Sequence, residues 1–394
     1  MTTRPVRLLF VIKNLQQGGT ETQLLRLVSK LDPARFTFHL CTVADEVHFS
    51  DLPPGEPRYR LGAGSSPSRA IAGLARVIDE LEPDLIHSFR DQVNLYVRLA
   101  LRRTRHQPAW LASVRGRPIY PHHLAMYRTL SRRTFAVTVN SAGLAQILVR
   151  QGRVPPKKIA VVPNFIDGDR FRPATEEERA RARERLELDP QALVALHPAR
   201  LSYVKNQLGI VLALGLLRRS GRLREELVVL FAGRPRDRVP ARLLPEWARF
   251  LGVERHVRIL GAQPEIVPLY QAADLVLLPS FVEGMPNASL EGQLSGLPNL
   301  VTREANRDEI VRDGVSGRVV SALSPWSLAD ALSELLSRSP EERRRMGLAG
   351  REWVMERFDP GAVRERLEAL YLSAAASARP AGGRPGAQAA ATRA

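Results

Sequence analysis

The sequence predicts an α/β protein of two domains, each a parallel sheet with helices on both faces, the two facing a central cleft. Three observations predict it. Short apolar runs alternate with amphipathic helical segments along the chain. The alternation breaks at Pro163-Asn164-Phe165-Ile166-Asp167-Gly168, passes through a charged stretch, and then resumes. A chain of 394 residues is also longer than one hydrophobic core sustains.

Residues 6–12 read as the first strand, and Gly18-Gly19 as the turn after it. Thr20 and Gln23 have the spacing of a capping box. Leu24, Leu25, Val28 and Leu31 then mark one face of a helix. Residues 36–43 alternate as a strand, Ser66-Pro67 opens a helix, and Ala70, Ile71, Leu74, Val77, Ile78 and Leu81 share its apolar face. Strands follow at 84–87, 110–114, 135–140 and 158–162. After a charged helix at 175–186, further strands read at 193–197, 227–232, 257–260, 275–278, 300–302 and 318–320. The expected divisions are a first domain at 1–168, a second at 169–355, a last helical segment at 356–373 and a tail at 374–394. The tail has no Val, Ile, Leu or Phe, so disorder is expected there.

Composition narrows the class. The chain is 44% hydrophobic and 25% charged, ordinary for a globular protein. A single cysteine, Cys41, excludes an internal disulfide or a Cys-based zinc site and is expected to be a buried, inert thiol in a reducing compartment. The apolar run at 8–12 is too short for a secretory signal, and no run approaches the roughly 18 residues of a membrane span. The expected location is cytoplasmic, with peripheral attachment to the inner face of the cell membrane as an option.

The net charge is +17. Within 87–135 stand Arg90, Arg98, Arg102, Arg103, Arg105, Arg115, Arg117, Arg128, Arg132 and Arg133 against one acid, Asp91. Such a segment either attracts nucleic acid, anionic lipid or a phosphorylated substrate, or is arginine bias on a solvated surface.

The strongest signal is Ser280-Phe281-Val282-Glu283-Gly284-Met285-Pro286-Asn287-Ala288-Ser289-Leu290-Glu291. It reads as strand, turn and helix, with Pro286 in the first helical turn. The helix N-terminus offers free N–H groups and the positive end of its dipole. Either Glu283 holds sugar hydroxyls, the N–H groups of Gly284, Met285 and Asn287 add donors, and Glu291 takes the two hydroxyls of a ribose, or the segment is a capped surface helix with incidental acids. Arg200 and Lys205 follow a strand of the second domain. Read alone, they either clamp a diphosphate or face solvent as ordinary loop charges. Gly18 and Gly19 let backbone approach a ligand closely or simply make a tight turn. Asp167-Gly168-Asp169 has the form of a D-x-D metal site but sits where a chain crossing needs turn residues, so no metal is expected there. His122 and His123 are neighbours whose side chains are expected to diverge, which argues against a zinc pair.

In this order and spacing the motifs resemble the retaining nucleotide-sugar glycosyltransferases of GT-B fold known as family 4. The elements are Gly18-Gly19-Thr20-Glu21, Asp84-Leu85-Ile86-His87-Ser88, Val162-Pro163-Asn164-Phe165-Ile166-Asp167, Arg200 with Lys205, and the Glu283/Glu291 pair. Gly296-x-Pro298 and Glu309-Ile310-Val311 with Gly314 and Gly317 complete the set. The resemblance implies two Rossmann-like domains facing a cleft, with catalytic roles for Glu283, Arg200 and Lys205. It implies donor binding by Gly18, Gly19, Arg200, Lys205, Gly284, Met285, Asn287 and Glu291, with the loop at 262–265 bordering the base. The donor would be a UDP-, GDP- or ADP-sugar, with no cofactor. The acceptor would be a lipid-linked saccharide, polysaccharide or other cell-envelope glycan. It further implies front-face attack in which the leaving phosphate takes the acceptor proton, and a last helix crossing back to the first domain. Two departures stand out. Arg115 lies where the family often has a histidine, and Glu304-Ala305-Asn306-Arg307 replaces a Gly-Gly. The competing reading, from another class, is a non-catalytic protein of the same scaffold that binds anionic membrane or another polyanion through 87–135; because acceptors of the family are often lipid-linked or polysaccharide, the resemblance favours the membrane and no nucleic acid is expected.

Overall fold

The computed structural model describes residues 4–15, 18–44, 58–64, 66–116, 121–235 and 237–378. Among the described residues, thirteen strands form two sheets. The first contains β1 (Val6–Ile12), β2 (Phe36–Thr42), β3 (Arg58–Arg60), β4 (Leu85–Phe89), β5 (Ala109–Val114), β6 (Ala136–Val139) and β7 (Ile159–Val161). The second contains β8 (Leu193–Pro198), β9 (Leu227–Ala232), β10 (Val257–Gly261), β11 (Leu275–Leu278), β12 (Asn299–Thr302) and β13 (Gly317–Val320). Their orders are β3-β2-β1-β4-β5-β6-β7 and β10-β9-β8-β11-β12-β13. The paired strands run parallel, β1 with β2 and β4, and β8 with β9 and β11, at the centres of the two sheets.

Both faces of each sheet are covered, which is why the strands read as unbroken apolar runs. Along β1, Leu9 and Val11 enter one core while Leu8, Phe10 and Ile12 enter another on the opposite face. In β11, Val276 and Leu278 point to one face and Leu275 and Leu277 to the other. Cys41 is fully buried in the first of these cores, and burial pushes its thiol up to about 12.

Each sheet reverses its strand order once, between β1 and β4 and between β8 and β11. Open parallel sheets bind ligands beyond the carboxyl ends of the strands at that reversal. Gly18-Gly19 and Arg90 lie beyond β1 and β4, and the Arg200–Lys205 and Glu283 loops lie beyond β8 and β11. Fold geometry therefore gathers the candidate residues at both reversal points.

The helix after β1 corrects one expectation. It spans Gly19–Lys30 with Gly18 at its cap and no side-chain cap bond. Thr20 and Gln23 do not form a capping box there, because the Gln23 side chain instead grips the backbone of Phe165. The expected cap at Ser66 is present, its hydroxyl accepting from the Arg69 N–H with Pro67 in the first turn. Pro286 stands one residue earlier than expected, at the cap of the Asn287–Leu294 helix. The short edge strand β3 carries no apolar run and has no counterpart in the sequence reading.

The last helix runs Pro360–Ala378, beyond residue 373, where the sequence places the start of a disordered tail. Val363, Leu367, Tyr371, Ala374 and Ala375 are buried in a core shared with β1, β4 and β5. Alanines at 374 and 375 extend the buried stripe without any large side chain, so composition alone does not reveal them. The rest of the expected tail lies outside the described residues. Among the described residues, no helix is long and apolar enough to cross a membrane.

Candidate active site

The site grows from two loops of the second sheet. After β8, Ser202 precedes a single turn, Tyr203–Lys205, and Asn206 adopts a left-handed conformation (φ 57°) that caps the next helix. After β11 the chain turns through Pro279 to Glu283. The loops are stitched together: the Phe281 N–H donates to the Val204 carbonyl at 2.9 Å, and Asn206 Nδ2 donates to the Pro279 carbonyl at 3.1 Å. The rings of Tyr203 and Phe281 stack with centroids 5.5 Å apart. This register brings Lys205 onto Glu283, and Nζ donates to Oε1. Both side chains are largely buried, at 21% and 13% exposure, so the pair is charge-assisted in a partly dry setting. Arg200 lies exposed in the same loop, and its carbonyl accepts from Gln207 Nε2 at 3.0 Å.

Gly284 is where the second sheet touches the first. A Cβ built on it would lie 2.7 Å from the Arg115 carbonyl oxygen and 3.1 Å from Asn140 Oδ1. Only a glycine fits that approach, so the loop passes flush against the first sheet. The adjoining helix N-terminus is bound by polar contacts to the same side. Asn164 Nδ2 donates to the Met285 carbonyl at 3.0 Å and to Asn287 Oδ1 at 2.7 Å. Gln23 Nε2 donates to Asn287 Oδ1 at 3.2 Å, and Asn287 Nδ2 reaches the Gly19 carbonyl at 3.4 Å. Gly18 and Gly19 thus bring the N-terminus of the first helix against the N-terminus of the Asn287–Leu294 helix.

Glu291 faces a different neighbourhood, one turn into that helix. Its Oε1 accepts from Arg26 at 3.3 Å and its Oε2 from the Tyr270 hydroxyl at 3.2 Å. Burial raises its pKa above the ordinary carboxylate value, while the nearby Arg26 charge opposes the rise. The structure therefore joins Lys205 with Glu283 directly and gives Glu291 a separate cation.

Arg115 does not project alone into the cleft. Its guanidinium donates to Ser113 Oγ at 3.2 Å and Asn164 Oδ1 at 2.9 Å, and sits 5.6 Å over the Phe89 ring. Burial lowers its pKa to about 10. His87 lies deeper in the first sheet, between Tyr371 (2.8 Å) and Thr138 (3.1 Å), and burial holds it well below its ordinary value. Asp167 Oδ1 accepts from the Arg170 N–H at 3.0 Å, the turn role expected of it. The rings of His122 and His123 do not diverge: on the helix Pro121–Leu130 they pack edge to face, 4.3 Å apart.

Several polar residues of this region are given no site role by the sequence. Gln23, Arg26, Asn164 and Tyr270 hold the junction between the sheets. Asp308 takes the Ala142 N–H at 2.7 Å, placing a carboxylate of the second sheet's loops on a helix N-terminus of the first. Glu21 is buried and accepts from Arg90 at 2.5 Å, while Arg90 itself adopts a strained φ of 79°. Of the 87–135 arginines, Arg102, Arg103, Arg105, Arg128, Arg132 and Arg133 are exposed. Arg90 and Arg98 are half-buried, Arg115 is held by Ser113 and Asn164, and Arg117 lies outside the described residues.

Comparison with known proteins follows the same division of the chain. The model of glycosyl transferases group 1 matches residues 178–353, and that of glycosyltransferase family 4 matches residues 17–170. A D-inositol 3-phosphate glycosyltransferase of Corynebacterium aurimucosum is 32% identical over 240 residues, 60% of this chain and 56% of that protein. One from Actinosynnema mirum is 38% identical over 186 residues, 46% of this chain and 44% of that protein. The matched stretch thus spans about half the length of these relatives. Among solved structures, Anabaena HepE in complex with UDP superposes with a TM-score of 0.80 at 18% identity, over 93% of this chain and 100% of that one. WaaG, a glycosyltransferase involved in lipopolysaccharide biosynthesis, gives 0.75 at 18% identity, over 92% and 99%. At such identities the likeness shows the fold, which is GT-B.

Proposed function

Since the chain belongs to the family 4 glycosyltransferases of GT-B fold, we propose that it is a retaining glycosyltransferase that moves a sugar from a nucleoside-diphosphate sugar to an acceptor hydroxyl. The observation that carries this reading is the contact between Lys205 and Glu283 at the strand-order reversal of the second sheet. Departure of the nucleoside diphosphate builds negative charge on phosphate oxygens while the sugar ring becomes cationic. Lys205, with Arg200, answers the first charge, and the Glu283 carboxylate lies beside the second. The N-terminus of the Asn287–Leu294 helix adds a positive dipole end on the phosphate side. These groups supply the charge stabilisation without calling on a metal. Glu291 takes the ribose.

The donor is a UDP-, GDP- or ADP-sugar, and UDP is supported by related folds solved with UDP and with UDP-glucose. Front-face attack, with the leaving phosphate accepting the acceptor's proton, accounts for retention. The acceptor is a hydroxyl of a lipid-linked saccharide, polysaccharide or other envelope glycan. The exposed arginines of 87–135 support attachment to the anionic membrane face where such acceptors reside. The non-catalytic alternative is not favoured, because it leaves the Lys205–Glu283 arrangement without a role.

The test is a panel of UDP-, GDP- and ADP-sugars, scored by donor hydrolysis and by stabilisation of the protein against heat. Turnover or hydrolysis of one donor, abolished in Glu283→Gln, supports the reading. Absence of hydrolysis and of stabilisation across the panel overturns it.

A further inference from the structure

Arg26 comes from the first helix of the first sheet, yet its guanidinium ends on the second sheet's Glu291. Three contacts fix it. It reaches the Phe165 carbonyl at 3.4 Å and Glu291 Oε1 at 3.3 Å, and its Cζ lies 5.6 Å from the centroid of the Phe171 ring. Beneath it, Phe171 and Tyr270 form a perpendicular pair with centroids 5.5 Å apart. Tyr270 holds the other Glu291 oxygen at 3.2 Å. Arg26 and Glu291 are only 15% and 14% exposed.

An ionised carboxylate has about four acceptor positions, and Arg26 and Tyr270 occupy two. The remaining two match a pair of vicinal hydroxyls. A buried carboxylate tends to hold its proton, which would turn one acceptor into a donor. The charged groups acting on Glu291 from the packed elements are Arg26 and, more weakly, Arg170, with Tyr270 the neighbouring hydroxyl.

We propose that Arg26 is a positioning residue for the nucleoside, aligning Glu291 so that it accepts both hydroxyls of the ribose. Because Arg26 sits on one sheet and Glu291 on the other, ribose recognition is assembled only when the two sheets meet. This rests on the reading that Glu291 takes the ribose of a donor nucleotide.

The experiment first matches the wild-type protein to UDP, GDP or ADP by thermal shift. It then compares the affinity for that nucleoside diphosphate with the affinity for its 2′,3′-dideoxy counterpart. Wild type is expected to prefer the hydroxylated ligand by about tenfold or more, the scale of hydrogen bonds to a charged group. In Arg26→Ala the preference falls to near unity, while the dideoxy ligand binds as it does to wild type, showing that the fold and the phosphate site persist. The acid limb of nucleotide binding also moves to higher pH in this variant. Arg26→Lys, a point charge without the guanidinium fork, retains only part of the preference. Full preference in Arg26→Ala, or in Arg26→Lys should the alanine variant not fold, overturns the proposal while leaving the proposed function standing. A wild-type protein that binds a nucleotide without any preference also overturns it. Binding of none of the three nucleotides removes the proposed function and this inference with it.

Discussion

Lys205 and Glu283 come from loops 78 positions apart and meet in a single charge-assisted hydrogen bond. Neither residue is placed by its own local sequence. The Phe281 N–H on Val204 and the Asn206 amide on Pro279 set the register of the two loops, and the pair follows from that register. The arrangement sets a cation and an anion side by side where a leaving diphosphate and a cationic sugar would need them.

Glu283→Gln preserves the shape and removes the charge. Turnover is expected to fall roughly 10²–10³-fold with a smaller change in donor affinity. Lys205→Ala is expected to lower both turnover and stability, the latter by about 1–3 kcal/mol, because Glu283 is left largely buried without its cation. Steady-state kinetics and thermal melts check both.

Gly284→Ala places a methyl group 2.7 Å from the Arg115 carbonyl oxygen. The loop must retreat from the first sheet, and a loss of about 1–3 kcal/mol is expected. Turnover should drop as well, since Glu283 is the preceding residue. Calorimetry alongside donor hydrolysis checks this, and an unperturbed variant would mean that the close approach is not maintained in solution.

Burial raises the Glu291 carboxyl above its ordinary 4.5. The folded chain thus holds this proton more tightly than the unfolded chain does. The resulting stability is full below the ordinary carboxylate range and is lost as pH rises through the raised folded value. Glu291→Gln stays neutral throughout. Its melting temperature relative to wild type is therefore expected to be higher at about pH 7 than at about pH 4. A pH series of melts for the two proteins decides it.

Substituting Arg102, Arg103, Arg105, Arg128, Arg132 and Arg133 together by glutamine is expected to weaken pelleting with anionic vesicles while leaving donor hydrolysis intact. Raising salt should erase the difference, because exposed charges are screened beyond about 10 Å at 0.1 M. Equal pelleting by both proteins would remove the membrane from the account.

The sheets were legible because parallel strands buried on both faces leave continuous apolar runs, as at Leu275–Leu278. The Glu283–Glu291 segment was legible because strand, turn and helix follow each other within a few residues. Gln23 and Arg26 were not. Arg26 lies on the helix side away from Leu24, Leu27 and Val28, where polar residues ordinarily meet water, and Gln23 is a polar residue buried beside Leu27. Their work depends on a neighbour more than a hundred residues downstream, which no local pattern encodes. Asn164 falls within a motif of the resemblance, but its partners Met285 and Asn287 are set by packing and not by the local sequence. Gln23 even mimics a cap, and only the packing against Phe165 reveals its true partner.

The most direct measurement is an experimental structure of the protein with its matched nucleoside diphosphate. The diphosphate is expected within hydrogen-bonding reach of Lys205 and Arg200 and the ribose hydroxyls on Glu291, with Glu283 facing the position of the donor sugar. A nucleotide bound away from these four side chains, or one whose phosphates approach neither Lys205 nor Arg200, would contradict it.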